Sequence, residues 1–389
     1  MKRGASSIEV KKLNRNRVFR YLNSRGRVSM PDIAANLGMS GPTVLQIIKE
    51  LKESQIVQEV GVFQSTGGRK AKAIASVQDV CYTVGLDITR NHVSLVLTNL
   101  SEKALKHERV REPFIYGDAY FRKLGDLLEE FLRKSETPRE KIIGVGLSIP
   151  GILDKDNCIA YSHTLGLDHV AGEEFTKYIP YPCIIINDAN AAAMAECSGT
   201  VLSQSVFYLL LSNSVGGAIV FCRDDPARDK WNVREGISRD IYMGGNQRAG
   251  EFGHMAIRPD GLPCYCGKKG CLDAYCSAAR LADLTDGNLE RFFQELEAGN
   301  VKWREIWEEY MDNLAIAVDN LRMCFDGDVV LGGYVGSYMG PHMEKFREKC
   351  AKRNIFGQSG DYVKACKYRI EASALGAAVC QIERYIDKV

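Results

Sequence analysis

The stretch from Gly250 to Cys271 constrains this chain more than any other. Gly250-Glu251-Phe252-Gly253-His254 is followed by Cys264-Tyr265-Cys266-Gly267-Lys268-Lys269-Gly270-Cys271. One histidine and three cysteines within eighteen residues, with glycines that let the backbone fold back between the last two thiols, form a tetrahedral ligand set for zinc. The close Cys-x-Cys pair and a third thiolate favour a closed, structural site over an open catalytic one. Such an ion pins a loop that also carries Glu251 and Asp273, so the loop is expected to present polar groups rigidly to a ligand. The alternative, chance clustering in a chain with 13 cysteines, does not explain why the histidine and the glycines coincide with the thiols.

The cysteine count is odd and the residues are scattered from Cys81 to Cys380 without the rhythm of a secreted disulfide scaffold, which points to a reducing cytoplasm. Met1-Lys2-Arg3-Gly4 leads into no apolar segment, and no run approaches the length of a membrane span, so a membrane role is not expected. At 389 residues the chain has room for two or three domains.

Charge divides the chain unevenly. Residues 1–76 hold fourteen Lys/Arg against five Asp/Glu, a balance of +9, while the remainder holds thirty-seven against forty-four, a balance of −7. A small basic module on a mildly acidic body suggests a polyanion-binding head. Its apolar pattern predicts three helices. The first runs from about Lys11 to Ser24. The second is capped by Ser29, has Pro31 in its first turn and ends at Gly38. The third is capped by Ser40 and buries Val44, Ile47, Ile48 and Leu51. Helix, short glycine-containing turn and helix make a helix-turn-helix, whose second helix can enter a major groove. Ser40, Thr43, Gln46 and Lys49 are the candidate DNA contacts on that helix. Two short strands, at 56–60 and 71–75, flank the basic tip Ser65–Lys70, and Arg69 and Lys70 there suit phosphates or the minor groove. Residues 1–76 are therefore read as a winged helix-turn-helix.

Beyond residue 78 strands and helices alternate. Apolar runs at 81–88, 93–97, 142–148, 183–186, 207–211 and 329–331 read as strands, with helices at 121–134, 189–197, 303–325 and 374–385. Polar residues and glycines recur at the carboxyl ends of the strands, where α/β sheets bind ligands.

The chain resembles the ROK family (repressors, open reading frames and kinases), in its transcriptional-regulator branch. The marks are Gly67-Gly68-Arg69-Lys70, Asn187-Asp188-Ala189-Asn190-Ala191, Gly250-Glu251-x-Gly-His254, Cys264-x-Cys266-Gly-x-x-Gly-Cys271, Leu331-Gly332-Gly333 and Gly376-Ala377-Ala378. The resemblance implies an α/β class protein: a winged helix-turn-helix followed by a two-domain actin/hexokinase-like, ribonuclease H-like body with a structural zinc loop. Residues 80–188, completed by 372–389, form the first body domain, and 189–371 the second, which bears the zinc loop and the oligomerisation surface. It also implies roles by position. Asn187 and Asp188 contact sugar hydroxyls, Asp188 matching the base of the kinases. Glu251 binds another hydroxyl, and His254 reaches sugar through one ring nitrogen and zinc through the other. Asp273 stands where the family usually has glutamate. His163, in Tyr161–Gly166, falls in a further sugar-contacting loop, although the customary Pro-Asn is missing.

The kinase side departs from the family. Sugar kinases open with Asp-x-Gly-Gly-Thr, where bare backbone approaches the phosphates of ATP; here Asp87-Ile88-Thr89-Arg90-Asn91 has no glycine. The second loop, Ser212-Asn213-Ser214-Val215-Gly216-Gly217, is also poorer in glycine and threonine. The reading is a cytoplasmic repressor of carbohydrate genes. It pairs as a homodimer or dimer of dimers on a pseudo-palindromic double-stranded DNA operator and is controlled by a sugar or sugar phosphate. Two alternatives stay open: a retained sugar kinase, and control by a sugar-transport protein.

Overall fold

The computed structural model describes residues 7–63, 71–198, 205–221 and 241–389. The basic head is built from α1 (Ser7–Arg25), β1 (Val28–Ser29), α2 (Met30–Leu37), α3 (Gly41–Glu53), β2 (Val57–Val62) and β3 (Lys72–Ser76). Local chemistry sets the helix boundaries. Ser29 and Asp32 form a reciprocal capping box at the start of α2, and Gly38 ends it in the left-handed conformation. The Ser40 side chain accepts the Thr43 N–H at the start of α3. The strands form an antiparallel sheet in the order β1-β3-β2, a step beyond the two strands expected, because Val28 and Ser29 pair with Ile74 and Ala73. The tip, with Arg69 and Lys70, lies outside the described residues.

The first body lobe contains β4 (Tyr82–Ile88), β5 (His92–Asn99), β6 (Lys106–Arg111), α4 (Asp118–Ser135) and β7 (Ile142–Ile149). A small meander follows, β8 (Ile152–Leu153), β9 (Cys158–Ser162) and β10 (Leu167–Ala171), then α5 (Glu173–Thr176), β11 (Cys183–Asn187) and α6 (Asp188–Cys197). Its main sheet has the order β11-β7-β4-β5-β6, with β11, β7 and β4 parallel. The second lobe contains β12 (Val206–Leu211), β13 (Val215–Val220), α7 (Asp273–Cys276), α8 (Ala278–Ala282), α9 (Leu289–Glu297) and α10 (Val301–Phe325). It continues with β14 (Asp328–Gly332), α11 (Gly333–Gly336), α12 (Met343–Ala351) and β15 (Val363–Ala365), in a sheet of order β13-β12-β14-β15. No helix among the described residues is long and apolar enough to cross a membrane.

The last helix, α13 (Ala372–Ile386), lies on the first-lobe sheet and against α6. Its approach is so close that a Cβ on Gly85 or Gly146 would stand 1.7 Å from the Ala374 carbonyl or 2.0 Å from the Ala377 carbonyl. Glycine in the middle of β4 and β7 is thus required by packing, and the small residues of α13 are its counterpart.

The head is docked on this same helix. Val18, Phe19 and Leu22 of α1 share one core with Cys81, Leu100, Ile382 and Ile386. Arg20 binds Glu383 through one guanidinium nitrogen and Asp387 through the other, the latter at 2.9 Å. Asn23 donates to the Leu100 carbonyl at 2.7 Å.

Candidate functional site

Parallel register brings polar residues to one end of the first-lobe sheet: Asp87 pairs with Ser148, and Asn187 with Ile149. That carboxyl edge faces the second lobe across a cleft of about 800 Å³. Asn187, Asp188 and His163 line it from one side, Glu251, His254 and Tyr265 from the other.

Asn187 has two structural duties. Its carbonyl oxygen caps α6 by accepting the Asn190 N–H at 3.0 Å, and its amide donates to the Gly151 carbonyl at 2.9 Å. Gly151 has φ +143, and a Cβ there would meet the Tyr161 carbonyl at 2.6 Å, so only glycine lets this carbonyl turn towards Asn187. Asp188 is half-buried. Its Oδ1 accepts the Ala189 N–H at 2.9 Å and the Asn187 amide at 3.1 Å, and the residue lines the cleft. Loss of hydration raises its pKa to about 6, against the pull of those donors. Glu251, on the rim, is raised by desolvation and then by the Asp188 charge.

The loop from His254 to Cys271 folds back on itself. The Cys264 N–H bonds to the Lys268 carbonyl at 2.9 Å, and the Gly270 N–H to the Leu262 carbonyl at 2.8 Å. These turns gather His254, Cys264, Cys266 and Cys271 so that their ligand atoms lie within 4.8 Å of one another. His254 Nδ1 stands 3.7 Å from Cys264 Sγ, and Cys266 Sγ 3.7 Å from Cys271 Sγ. Tetrahedral zinc with Zn–S bonds of about 2.3 Å separates its thiolates by about 3.8 Å, so the donor set fits a metal ion. The other ring nitrogen, Nε2, lies 3.3 Å from the Tyr265 hydroxyl. Tyr265 in turn stacks on His163, centroids 3.9 Å apart and planes within 5°. One aromatic pair therefore joins the lobes at the mouth of the cleft.

Asp273 lies behind the cleft: it is 6 % exposed, and its Oδ2 accepts the Val215 N–H at 2.6 Å, which holds the loop before β13. Tyr265 was missed in the sequence, although its place inside the Cys-x-Cys pair was a usable signal.

A second chamber of about 540 Å³ adjoins the first and shares Pro150, Thr164, Asp188 and Ser214 with it. Asp87 forms part of its wall, accepting the Ser148 hydroxyl at 2.7 Å. Burial, and then the neighbouring Asp188, raise the Asp87 pKa to about 7. The glycine-free turn closes on itself. The Thr89 N–H bonds to the His92 carbonyl at 2.9 Å, and the His92 N–H to the Thr89 hydroxyl at 3.1 Å. Both are backbone donors of the kind a phosphate cradle uses.

In the head, Thr43, Gln46 and Lys49 are exposed on α3. Ser40 is engaged as the cap and bonds the Thr43 hydroxyl at 2.8 Å, while Gln46 donates to Glu50 at 2.8 Å.

A winged helix-turn-helix head, joined to two actin-like lobes around a cleft beside a loop that gathers one histidine and three cysteines, defines a DNA-binding regulator. The chain belongs to the ROK family, whose profile matches residues 83–227 and 234–384, and a winged helix-turn-helix DNA-binding profile matches residues 13–58. It is 23 % identical over 402 residues to the xylose repressor of Bacillus subtilis (strain 168), covering 99 % of each chain. Among solved structures it is similar to a ROK family transcriptional regulator described as a homologue of the Escherichia coli MLC protein (TM-score 0.74, 18 % identity, 97 % of each chain). It also resembles the ROK hexokinase of Thermus thermophilus (TM-score 0.61, 24 % identity, 79 % of this chain and 99 % of that one). Repressors and kinases thus share the body.

Proposed function

We propose that this protein is a cytoplasmic transcriptional repressor of carbohydrate genes whose operator binding is controlled by a sugar held between the two lobes. The observation that carries the reading is the placement of α13. At its start, the Ser373 hydroxyl donates to the Asp188 carbonyl at 3.2 Å; at its end, Arg20 of the head clasps Glu383 and Asp387. A ligand that draws Glu251 and His254 towards Asn187 and Asp188 closes the cleft, and a shift of α13 then moves the heads. In a homodimer this changes the spacing of two α3 helices on a pseudo-palindromic operator.

Asn187, Asp188, Glu251, His254 and His163 hold the sugar in this reading, with Asp273 acting behind them through Val215. Zinc sits on His254 Nδ1, Cys264, Cys266 and Cys271, leaving Nε2 for a hydroxyl, and supplies structure only. Thr43, Gln46 and Lys49 face the groove, and Arg69 and Lys70 meet the backbone. The closed turn at Thr89–His92 supports a body that binds sugar without phosphorylating it.

The test is operator binding by the full-length protein, titrated with sugars, in the natural chain and in Asp188→Asn. The sugar response should be blunted in the variant while basal DNA binding stays near normal. Sugar-dependent ATP consumption that Asp188→Asn abolishes would instead establish the kinase reading.

A further inference from the structure

The second chamber poses its own question, since it too is lined by Asp188, whereas Glu251 and His254 line only the first. Its wall includes Asp87, Thr89, Asn213, Ser214, Tyr334 and Arg369. We infer that this chamber is a second saccharide subsite, so that the effector is a neutral disaccharide or longer oligosaccharide spanning both chambers across Asp188. The inference rests on the sugar-effector reading and names the class of sugar.

The two carboxyl groups of the wall, Asp87 and Asp188, disfavour a phosphate group there. A phosphate dianion calls for converging N–H donors and cations. Of the lining residues, Thr89 spends its N–H on the His92 carbonyl at 2.9 Å and Ser212 spends its own on the Leu210 carbonyl at 3.1 Å. Arg369 is the one cationic side chain among the described lining residues, and it is exposed. Two carboxyl groups, Asp87 and Asp188, face the same space, and burial already disfavours charge on both.

A neutral sugar ring suits the same wall. Carboxyl and amide oxygens accept from hydroxyls, the serine and threonine hydroxyls both donate and accept, and an aromatic ring packs on the C–H face of a pyranose. Tyr334 supplies that ring. It comes from the second lobe directly after Gly332-Gly333 and is held by Arg109 of the first lobe. The Arg109 guanidinium lies 5.7 Å from the ring centroid and donates to the phenol oxygen at 3.4 Å. Arg109 itself does not line the chamber. Tyr334 is thus an aromatic ring held in place between the two lobes.

The experiment is isothermal titration of the full-length, zinc-loaded protein with matched probes. These are D-glucose, glucose 6-phosphate and cellobiose; N-acetylglucosamine, its 6-phosphate and chitobiose; D-xylose and xylobiose. In at least one series the disaccharide should bind about tenfold more tightly than its monosaccharide, the gain of one ring contact and one or two hydrogen bonds. Tyr334→Ala should erase that advantage and leave monosaccharide affinity unchanged, and Asn213→Ala should reduce it. Three results overturn the inference: a sugar phosphate that binds more tightly than every disaccharide, no series in which the disaccharide is tighter than its monosaccharide, or an advantage that survives in both variants. If no probe binds the natural chain, the sugar-effector reading fails, and this inference with it.

Discussion

Arg20 offers the sharpest test of how the head is joined to the body. Its side chain is 18 % exposed, and the two carboxylates it clasps, Glu383 and Asp387, are 12 % and 20 % exposed. Replacing Arg20 by alanine removes the cation they share while leaving the apolar contacts of Val18, Phe19 and Leu22 in place. Breaking a fully buried ion pair costs about 3–5 kcal/mol, and an exposed one about 0–1 kcal/mol. With about a fifth or less of each group in water, the expected cost is about 2 kcal/mol, after discounting for screening. Urea unfolding of Arg20→Ala, of Glu383→Gln with Asp387→Asn, and of the triple variant closes a double-mutant cycle whose coupling should be roughly 1–3 kcal/mol. Arg20→Lys should fall between, because a point charge cannot fork to two carboxylates. Operator binding completes the assay: with the clasp gone, sugar should no longer shift it as strongly, although the remote cleft still binds sugar. A coupling below about 0.5 kcal/mol, the level of independent sites, together with an undiminished sugar response, would refute the argument.

Further expectations concern other links in the chain. Chelation, or Cys266→Ser, should lower the melting temperature and the sugar affinity together, because the thiolates order the loop bearing Glu251 and Tyr265; metal analysis of freshly purified protein should find one zinc per chain. Gly146→Ala drives a Cβ to within 2.0 Å of the Ala377 carbonyl, so urea titration should show a loss of about 1–3 kcal/mol or more, as for overpacked cores. Asp87 and Asp188 have pKa values raised to about 7 and about 6, from about 3.9 in an unfolded chain. Their native state therefore binds more protons, and the stability they contribute, full below pH 4, should be lost as pH rises through 6 to 7. Asp87→Asn and Asp188→Asn should each flatten that decline in pH-dependent melting curves. Replacing Arg69 and Lys70 by alanine should weaken DNA binding across sequences and reduce the salt slope by about 2, at about 0.9 per phosphate contact; an unchanged slope removes the wing from the interface.

The features legible in the sequence were those whose causes are local. Ser29, Pro31, Gly38 and Ser40 marked the ends of α2 and α3 because a cap satisfies N–H groups only two or three residues away. The four donors from His254 to Cys271 could be read as a metal set because a short loop with glycines can only fold back on itself. The glycine-free turn after Asp87 could be read as a departure from the kinases' glycine-rich turn, since obstruction by side chains is a property of residue type.

Tertiary structure alone decided what lies between distant segments. The bond from the Val215 N–H to Asp273 spans two distant segments, and packing alone sets it. The stack of His163 on Tyr265 and the clasp of Arg109 on Tyr334 join two lobes, and no spacing in the chain encodes either. The need for glycine in β4 and β7 comes from α13 lying on them, and the docking of the head comes from Arg20 meeting the end of that helix. Caps, turns and ligand loops obey short-range sterics and hydrogen bonding. Which surfaces meet is set by burial of apolar area and by complementarity of shape, and these belong to the folded whole.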